Sequence, residues 1–288
     1  MSTNNFKPFA IGGGANVTAQ SDYEALAALT SGFSSGKASS AQINKAIRQA
    51  TVMAYVLAQY ISDSALVDVL DNGNPAQILS NLKVGLLSSS PGRLLSAPKS
   101  FLSSALYTPT PGTTKVRVKV WGAGGGGAGV LGSSATGGAA GGAGAYAESW
   151  ISIPAGTTIP VTVGSGGTAG GANSSTAGGS GGASSFGTYL TCPGGIGGAP
   201  SGGGAGATAP SSTILSSNGQ SGQGVYSGVL FGGTGGAAFS SYGGLSHSSS
   251  SGDAGGFPGG GGAGSTAGQS SYGAGKGANG CIIIEEYA

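Results

Sequence analysis

The chain has 288 residues, including 63 glycines, 12 prolines, two cysteines and one histidine, and its eleven Lys and Arg against nine Asp and Glu leave a formal net charge of +2. There is no basic run to hold a nucleic acid, no 18-residue apolar stretch to cross a bilayer and no apolar leader in residues 1–10, so nucleic-acid binding, membrane insertion and signal-peptide secretion are not expected. Cys192 and Cys281 are too few for a disulfide framework and lack metal-ligand spacing; they are expected to be reduced and packed, and no metal or cofactor is expected.

Residues 1–20 are polar and end in Gly12-Gly13-Gly14, an arm expected to order only against a partner. Ser21-Asp22-Tyr23-Glu24 has the form of a capping box opening a short helix that Gly32 ends. A longer helix is expected from Ser39 or Ser40 to about Ser62. Along it Ile43, Ile47, Ala50, Ala54, Leu57 and Ile61 alternate steps of four and three, a heptad seam of nearly three heptads. Isoleucine at both kinds of seam position favours trimers over dimers, and a core helix of a monomeric helical domain is the competing reading. Residues 66–70 and 75–87 read as further short helical segments, 88–98 as a loop, and Pro109, Pro111 and Gly112 as a boundary. The resulting division is an arm at 1–20, a helical oligomerisation region at 21–90, a linker at 91–113 and a glycine-rich domain at 114–288.

Beyond Trp121 the composition changes. Nine glycines precede residue 122 and 54 follow, so nearly a third of the second half is glycine. Glycine loses more conformational entropy on folding than any other residue, and such a stretch would be a flexible linker unless something compensates. Segments 115–121, 146–153, 159–163, 225–231 and 281–284 look folded. Val116, Val118 and Val120 alternate with Lys115, Arg117 and Lys119 at the period of a half-buried strand, and 146–151 alternates likewise. The apolar run 281–284 is expected to pair with 115–120 and to bring Glu285 or Glu286 against a lysine. The glycine runs can pack as left-handed extended helices with three residues per turn, bonded sideways to one another, because only glycine lets backbones approach so closely. Collagen itself is excluded, since no strict Gly-X-Y period occurs. The expected fold class is therefore multidomain: an N-terminal α-helical, coiled-coil region followed by a glycine-rich domain of β and polyglycine-II type.

Residues 1–10, the stretch from Gly14-Ala15-Asn16-Val17 to Tyr23-Glu24-Ala25-Leu26, and Gly36-Lys37-Ala38-Ser39-Ser40-Ala41-Gln42 resemble the N-terminal regions of tailed-phage and prophage tail fibre proteins. The second half is similar to the glycine-rich domain at the C-termini of such fibres. Val118-Lys119-Val120-Trp121-Gly122-Ala123-Gly124-Gly125-Gly126 opens it, Val161-Thr162-Val163-Gly164-Ser165-Gly166-Gly167 follows, and Gly280-Cys281-Ile282-Ile283-Ile284-Glu285-Glu286-Tyr287 closes it. The resemblance implies a virion tail protein assembled in the host cytoplasm, a homotrimer attached to the baseplate by its N-terminus. It further implies binding to a host surface receptor, whether glycan, pilus or outer-membrane protein, through loops between glycine motifs.

A catalytic role has little to draw on. His247 is the only histidine, and Glu148 with Asp253 is the only non-terminal carboxylate pair in the glycine-rich half. A glycan depolymerase using that pair is the alternative reading, and a host surface or matrix protein is disfavoured by the missing secretion signal. Gly122, Gly124 and Gly127 form G-x-G-x-x-G after a strand, with Glu148 downstream, but no helix follows to supply a phosphate site. Aromatic residues framed by Ser and Gly suit adaptable recognition loops. Tyr226, Phe231, Phe239, Tyr242, His247 and Phe257, within 212–231 and 239–257, are the expected receptor contacts, with core wedging as the competing role for the phenylalanines.

Overall fold

The computed structural model describes residues 2–33, 38–88, 92–154, 156–268 and 272–288. The chain divides into two compact units, Met1–Gly92 and Arg93–Ala288. Among the described residues no helix is long and apolar enough to cross a membrane.

The first unit is helical: α1 (Gln20–Glu24), α2 (Ala28–Ser31), α3 (Ser40–Ala65) and α4 (Pro75–Ser88). The capping box expected at Ser21 does not form; α1 starts two residues earlier, with Ala19 rather than Ser21 at its cap and no side-chain bond to it. α3 and α4 pack around Ala58, Ile61 and Val69, with Phe6, Ile78 and Leu82 against them. The N-terminal arm belongs to this core rather than waiting for a partner. Val69 exchanges backbone bonds with Thr3 and Asn5, Asn4 Nδ2 donates to the Tyr55 carbonyl, and the Phe9 amide donates to Thr51 Oγ1. Of the predicted seam, Ile43, Ile47, Ala50 and Leu57 are exposed and Ala54 is half-buried, whereas Ile61 turns into the intrachain core. Ile61 is therefore not a seam residue here, because α4 covers that end of α3. Residues 66–70, expected to be helical, are not: Leu66 ends α3 in the left-handed region and Val69 forms an isolated bridge to Asn4, whereas the expected helix at 75–87 is α4.

The second unit joins a β-sandwich to a glycine array. Its strands are β1 (Lys99–Phe101), β2 (Ala105–Tyr107), β3 (Lys115–Trp121), β4 (Tyr146–Ser152), β5 (Ile159–Thr162), β6 (Ser184–Phe186), β7 (Leu190–Cys192), β8 (Leu215–Ser217) and β9 (Cys281–Tyr287). They form a five-stranded sheet ordered β1-β9-β3-β4-β8 and a four-stranded sheet ordered β2-β5-β6-β7. As the alternation predicts, Val116, Val118 and Val120 face inward, with Ile282, Ile284 and Ile151 beside them and Tyr107, Ile159, Val161 and Phe186 of the other sheet opposite. Arg117, Lys119 and Glu285 meet on the outer face, where Lys119 Nζ lies 2.9 Å from Glu285 Oε1. Cys192 and Cys281 are free and buried, and burial pushes the Cys192 thiol up to about 12.

The segment expected to be a linker, 91–113, departs from that reading over its described part: β1 pairs with β9 and β2 with β5, so it supplies an edge strand to each sheet. The fully buried Glu286 carboxylate clasps it. Lys99 Nζ (2.7 Å), Tyr107 OH (2.8 Å), Ser96 Oγ (2.8 Å), and the Thr110 amide (3.1 Å) and Oγ1 (2.6 Å) all donate to it. Burial alone would raise this carboxyl; the donated bonds outweigh it and hold Glu286 down at about 2.

The glycine runs form rods whose bonding pattern reveals their geometry. In 122–129 successive amides donate in rotation to three neighbours: Gly122, Gly125 and Ala128 to the carbonyls of Ala145, Gly142 and Ala139; Ala123, Gly126 and Gly129 to those of Gly182, Gly179 and Thr176; Gly124 and Gly127 to those of Ala278 and Gly275. A partner that recurs every third residue means three residues per turn, and the glycines of this run avoid positive φ, which gives the left-handed extended helix. The carbonyls of the same rod accept from three further rods, through Gly195 and Gly198, Gly167 and Gly170, and Gly262 and Ser265. Six neighbours surround it, a hexagonal arrangement.

Rods 137–145 and 259–267 are surrounded in the same way, and the three bond to one another as a triangle. Around it the bonds close a ring of nine: 164–170, 176–182, 193–198, 203–207, 219–223, 232–237, 242–245, 252–256 and 273–280. The inner rods are buried throughout and contain only Gly and Ala apart from Ser265 and Thr266, whereas ring rods such as 164–170 and 193–198 expose every third residue. Close approach demands glycine inside: a Cβ on Gly124 would lie 1.9 Å from the Gly260 carbonyl oxygen. Outward amides of the ring find side chains instead, as where Gln220 Oε1 accepts from Ala237 and Asn279 Oδ1 from Gly166.

Candidate functional site

One end of the array meets the sheets: Gly122 follows β3, Ala145 precedes β4 and Gly280 precedes β9. At the other end the rods are joined by loops 130–136, 171–175, 199–202, 225–231, 246–251 and 268–272, the last described only at residues 268 and 272. Because the rods are built from backbone bonds, these loops need not supply a core, and their side chains are released to solvent. Tyr226 is 74% exposed and Phe231 54%, and Val229, Leu230 and Leu131 are exposed beside them in sequence or through the loop bonds.

The loops are tied at their bases. The Gly137 amide donates to the Val229 carbonyl, the Ala267 amide to Leu230 and the Gly268 amide to Gly132. Gly132 in turn donates to Asn173 Oδ1 at 2.9 Å, and Thr266 Oγ1 donates to the His247 carbonyl at 2.7 Å. His247 Nε2 lies 2.9 Å from Asp253 Oδ2, with both side chains well exposed. The end face is thus an apolar and aromatic patch on anchored loops, edged by serine, asparagine and this single pair.

Only half of the predicted contacts lie there. Tyr226, Phe231 and His247 occupy the loop end, but Phe239, Tyr242 and Phe257 lie at the sheet end. Phe239 stacks on Tyr146 with ring centroids 4.2 Å apart, and its carbonyl accepts from Trp121 Nε1 at 3.0 Å. The Tyr242 carbonyl accepts from the Gly256 amide at 2.8 Å, and Phe257 sits in the next turn. The reason is parity. Each rod carries the chain from one end of the array to the other, so consecutive interruptions of the glycine pattern alternate between ends. Segment 225–231, which reads as a strand, is a loop at the far end; 212–217 returns to the sheet as β8. Val229 and Leu230 lie within the expected loop 212–231 without being singled out, while Leu131 and Asn173 fall outside both expected loops, and counting rods from β3 places them at the same end.

The catalytic alternative finds its groups apart. Glu148, on β4, takes bonds from Arg117 and from Tyr146 OH, while Asp253, in rod 252–256, pairs with His247 at the loop end of the array. Among the described residues no cluster of three or more His, Cys, Asp and Glu could hold a metal ion. The G-x-G-x-x-G amides are spent on neighbouring rods, as the Gly124 and Gly127 bonds show.

The family model of a glycine-rich domain matches residues 100–287, which begins inside β1 and ends with β9. No curated protein matches the chain.

Proposed function

The chain belongs to the glycine-rich domain family, and on that premise we propose that it is a tail fibre protein of a tailed phage or prophage that binds a host surface receptor through the loop end of its array. The observation that carries this reading is the division of labour in the array: its stability comes from backbone bonds, and exposed Leu131, Tyr226, Val229, Leu230 and Phe231 collect where no core requires them. Apolar and aromatic groups on anchored loops, edged by small polar residues, suit protein or glycan recognition without catalysis.

The N-terminal unit fits the role of an attachment and oligomerisation region. Ile43, Ile47 and Leu57 leave a heptad face of α3 exposed, as a homotrimer joined along it would require. Three copies raise avidity without new contacts, so a weak individual site suffices. Attachment to the baseplate is assigned to the same unit on the resemblance of its sequence.

The test is binding of fluorescently labelled full-length protein to a panel of Gram-negative strains. Strain-selective binding that Tyr226→Ala with Phe231→Ala reduces at least about tenfold, while Tyr242→Ala with Phe257→Ala leaves it intact, is the expected result. If no strain binds, or both pairs act alike, the loop end is not the receptor site.

A further inference from the structure

A cleft of about 460 Å³ opens between α1 and α3, lined by Gln20, Lys45, Arg48, Gln49, Val52 and Met53. Lys45 makes no ion pair among the described residues; its stem is buried, and its ammonium, which reaches the cleft, lies 5.7 Å from the centroid of the Tyr23 ring. Arg48 shares the cleft and pairs with no carboxylate among the described residues either. Glu24, on α1, is held by Gln20 Nε2 at 2.7 Å and reaches neither cation within ion-pairing distance. Two cations on one cleft repel each other. A group that supplies negative charge there relieves that repulsion.

We infer that this cleft is a recognition site for the carboxylate of an acidic residue flanked by apolar ones, presented by a partner protein. The lining fits that chemistry: an Arg fork and an ammonium for the oxygens, two amides for remaining bonds, and Val52 with Met53 for an apolar neighbour. Its place on α3 argues against a second copy docked on the heptad face. At about 100° per residue, positions 45, 48, 49 and 52 lie on the side of α3 opposite Ile43, Ile47, Ala50 and Ala54. An oligomer joined through those residues presents the cleft outward, one per protomer. The site is independent of the receptor-binding reading of the loop end.

The experiment is calorimetric titration of the full-length protein with acetyl-Ala-Leu-Glu-Leu-Ala-amide, with the same peptide carrying Gln for Glu, and with inorganic phosphate. The Glu peptide is expected to bind at least about tenfold tighter than the Gln peptide, a difference ascribable to charged hydrogen bonds. Arg48→Gln should remove that preference. Lys45→Met should do so too, and Lys45→Arg, which keeps the charge should the methionine variant misfold, should retain it. Equal binding of both peptides reduces the cleft to an apolar groove and overturns the assignment. So does phosphate binding as tightly as the peptide, which marks a free-anion site, and so does no binding at all.

Discussion

The sandwich and the glycine array share one chain and one fold unit yet are specified in opposite ways. In the sandwich, side chains fill the space between two sheets, and the sequence says what must be present: Val118, Ile282, Phe186. In the array, backbones fill the space, and the sequence says what must be absent, namely any atom beyond Cα at the glycines of 122–129, a run whose only side chains are the methyls of Ala123 and Ala128. This comparison predicts an inversion of the usual rule that large-to-small core changes are the damaging ones. Gly124→Ala adds one carbon 1.9 Å from the Gly260 oxygen, where only movement of a whole rod, with its bonds to six others, makes room. It should cost about 4 kcal/mol or more, while Ile282→Ala, which removes three carbons from the sandwich, should cost about 2–5 kcal/mol. Ile196→Ala, on the exposed third position of a ring rod, should fall within about 0.5 kcal/mol. Thermal and denaturant unfolding of the three variants ranks them; a Gly124→Ala protein as stable as the parent would mean that the rods are not packed as described.

The Glu286 clasp, at the end of β9 away from the array, sharpens the comparison because it uses both kinds of bonding. Glu286→Ala strips a buried carboxylate from Lys99, Tyr107, Ser96 and Thr110 and should cost about 3–5 kcal/mol, as breaking a buried pair from one side does. Removing residues 93–113 deletes two edge strands along with those donors, so a protein beginning at residue 114 should not melt cooperatively. The carboxyl is held below its ordinary 4.5, at about 2, so the stability it contributes is complete above 4.5 and is lost as pH falls through that window towards 2. An acid melt should therefore show a loss between pH 4.5 and 2 that Glu286→Gln abolishes.

How much of this was legible in the sequence follows from the same contrast. The alternation of 115–121 and the apolar run 281–284 carry their own signal, so β3, its inward valines and its pairing with β9 could be read directly. The polyglycine geometry was legible as one physical solution for the glycine runs, and the distinction between inner and ring rods is written in the pattern, Gly and Ala only in 137–145 against Gly-Gly-Ile-Gly-Gly in 194–198. β1 and β2 were not legible, because three residues are too few to show a period. The far-end loops were half legible: Tyr226 and Phe231 stand out by composition, but assigning Phe239 and Phe257 to the opposite end needs the rod count, a property of topology that no local window contains. The heptad spacing on α3 was legible as a pattern, and the diversion of Ile61 into the core depended on where α4 packs.

A smaller effect on stability is expected at the loop end, and this sets it apart from every site so far. Tyr226→Ala with Phe231→Ala removes exposed side chains from a framework of backbone bonds, so stability should change by less than about 0.5 kcal/mol while strain-selective binding drops at least about tenfold. Stability loss that accompanies the binding loss would place these rings in the fold's support rather than in recognition.

The smallest expected effect belongs to the His247–Asp253 pair, and it probes where the proposed binding face ends. Both side chains are well exposed, at 40% and 52%, so solvent and salt screen the pair and its contribution is at most a few tenths of a kcal/mol. Loop 246–251 is instead held through its backbone, by Thr266 Oγ1 on the His247 carbonyl and by the Asp253 amide on the Leu245 carbonyl. His247→Gln should therefore leave the melting curve unchanged at low and high salt alike. Its effect on cell binding carries the information. A threefold or larger loss, with stability constant, extends the recognition face from loop 225–231 across the array to loop 246–251. Binding equal to the parent confines that face to Leu131, Tyr226 and the 229–231 cluster, and leaves the histidine as a surface pair on a loop whose shape the glycine rods already fix.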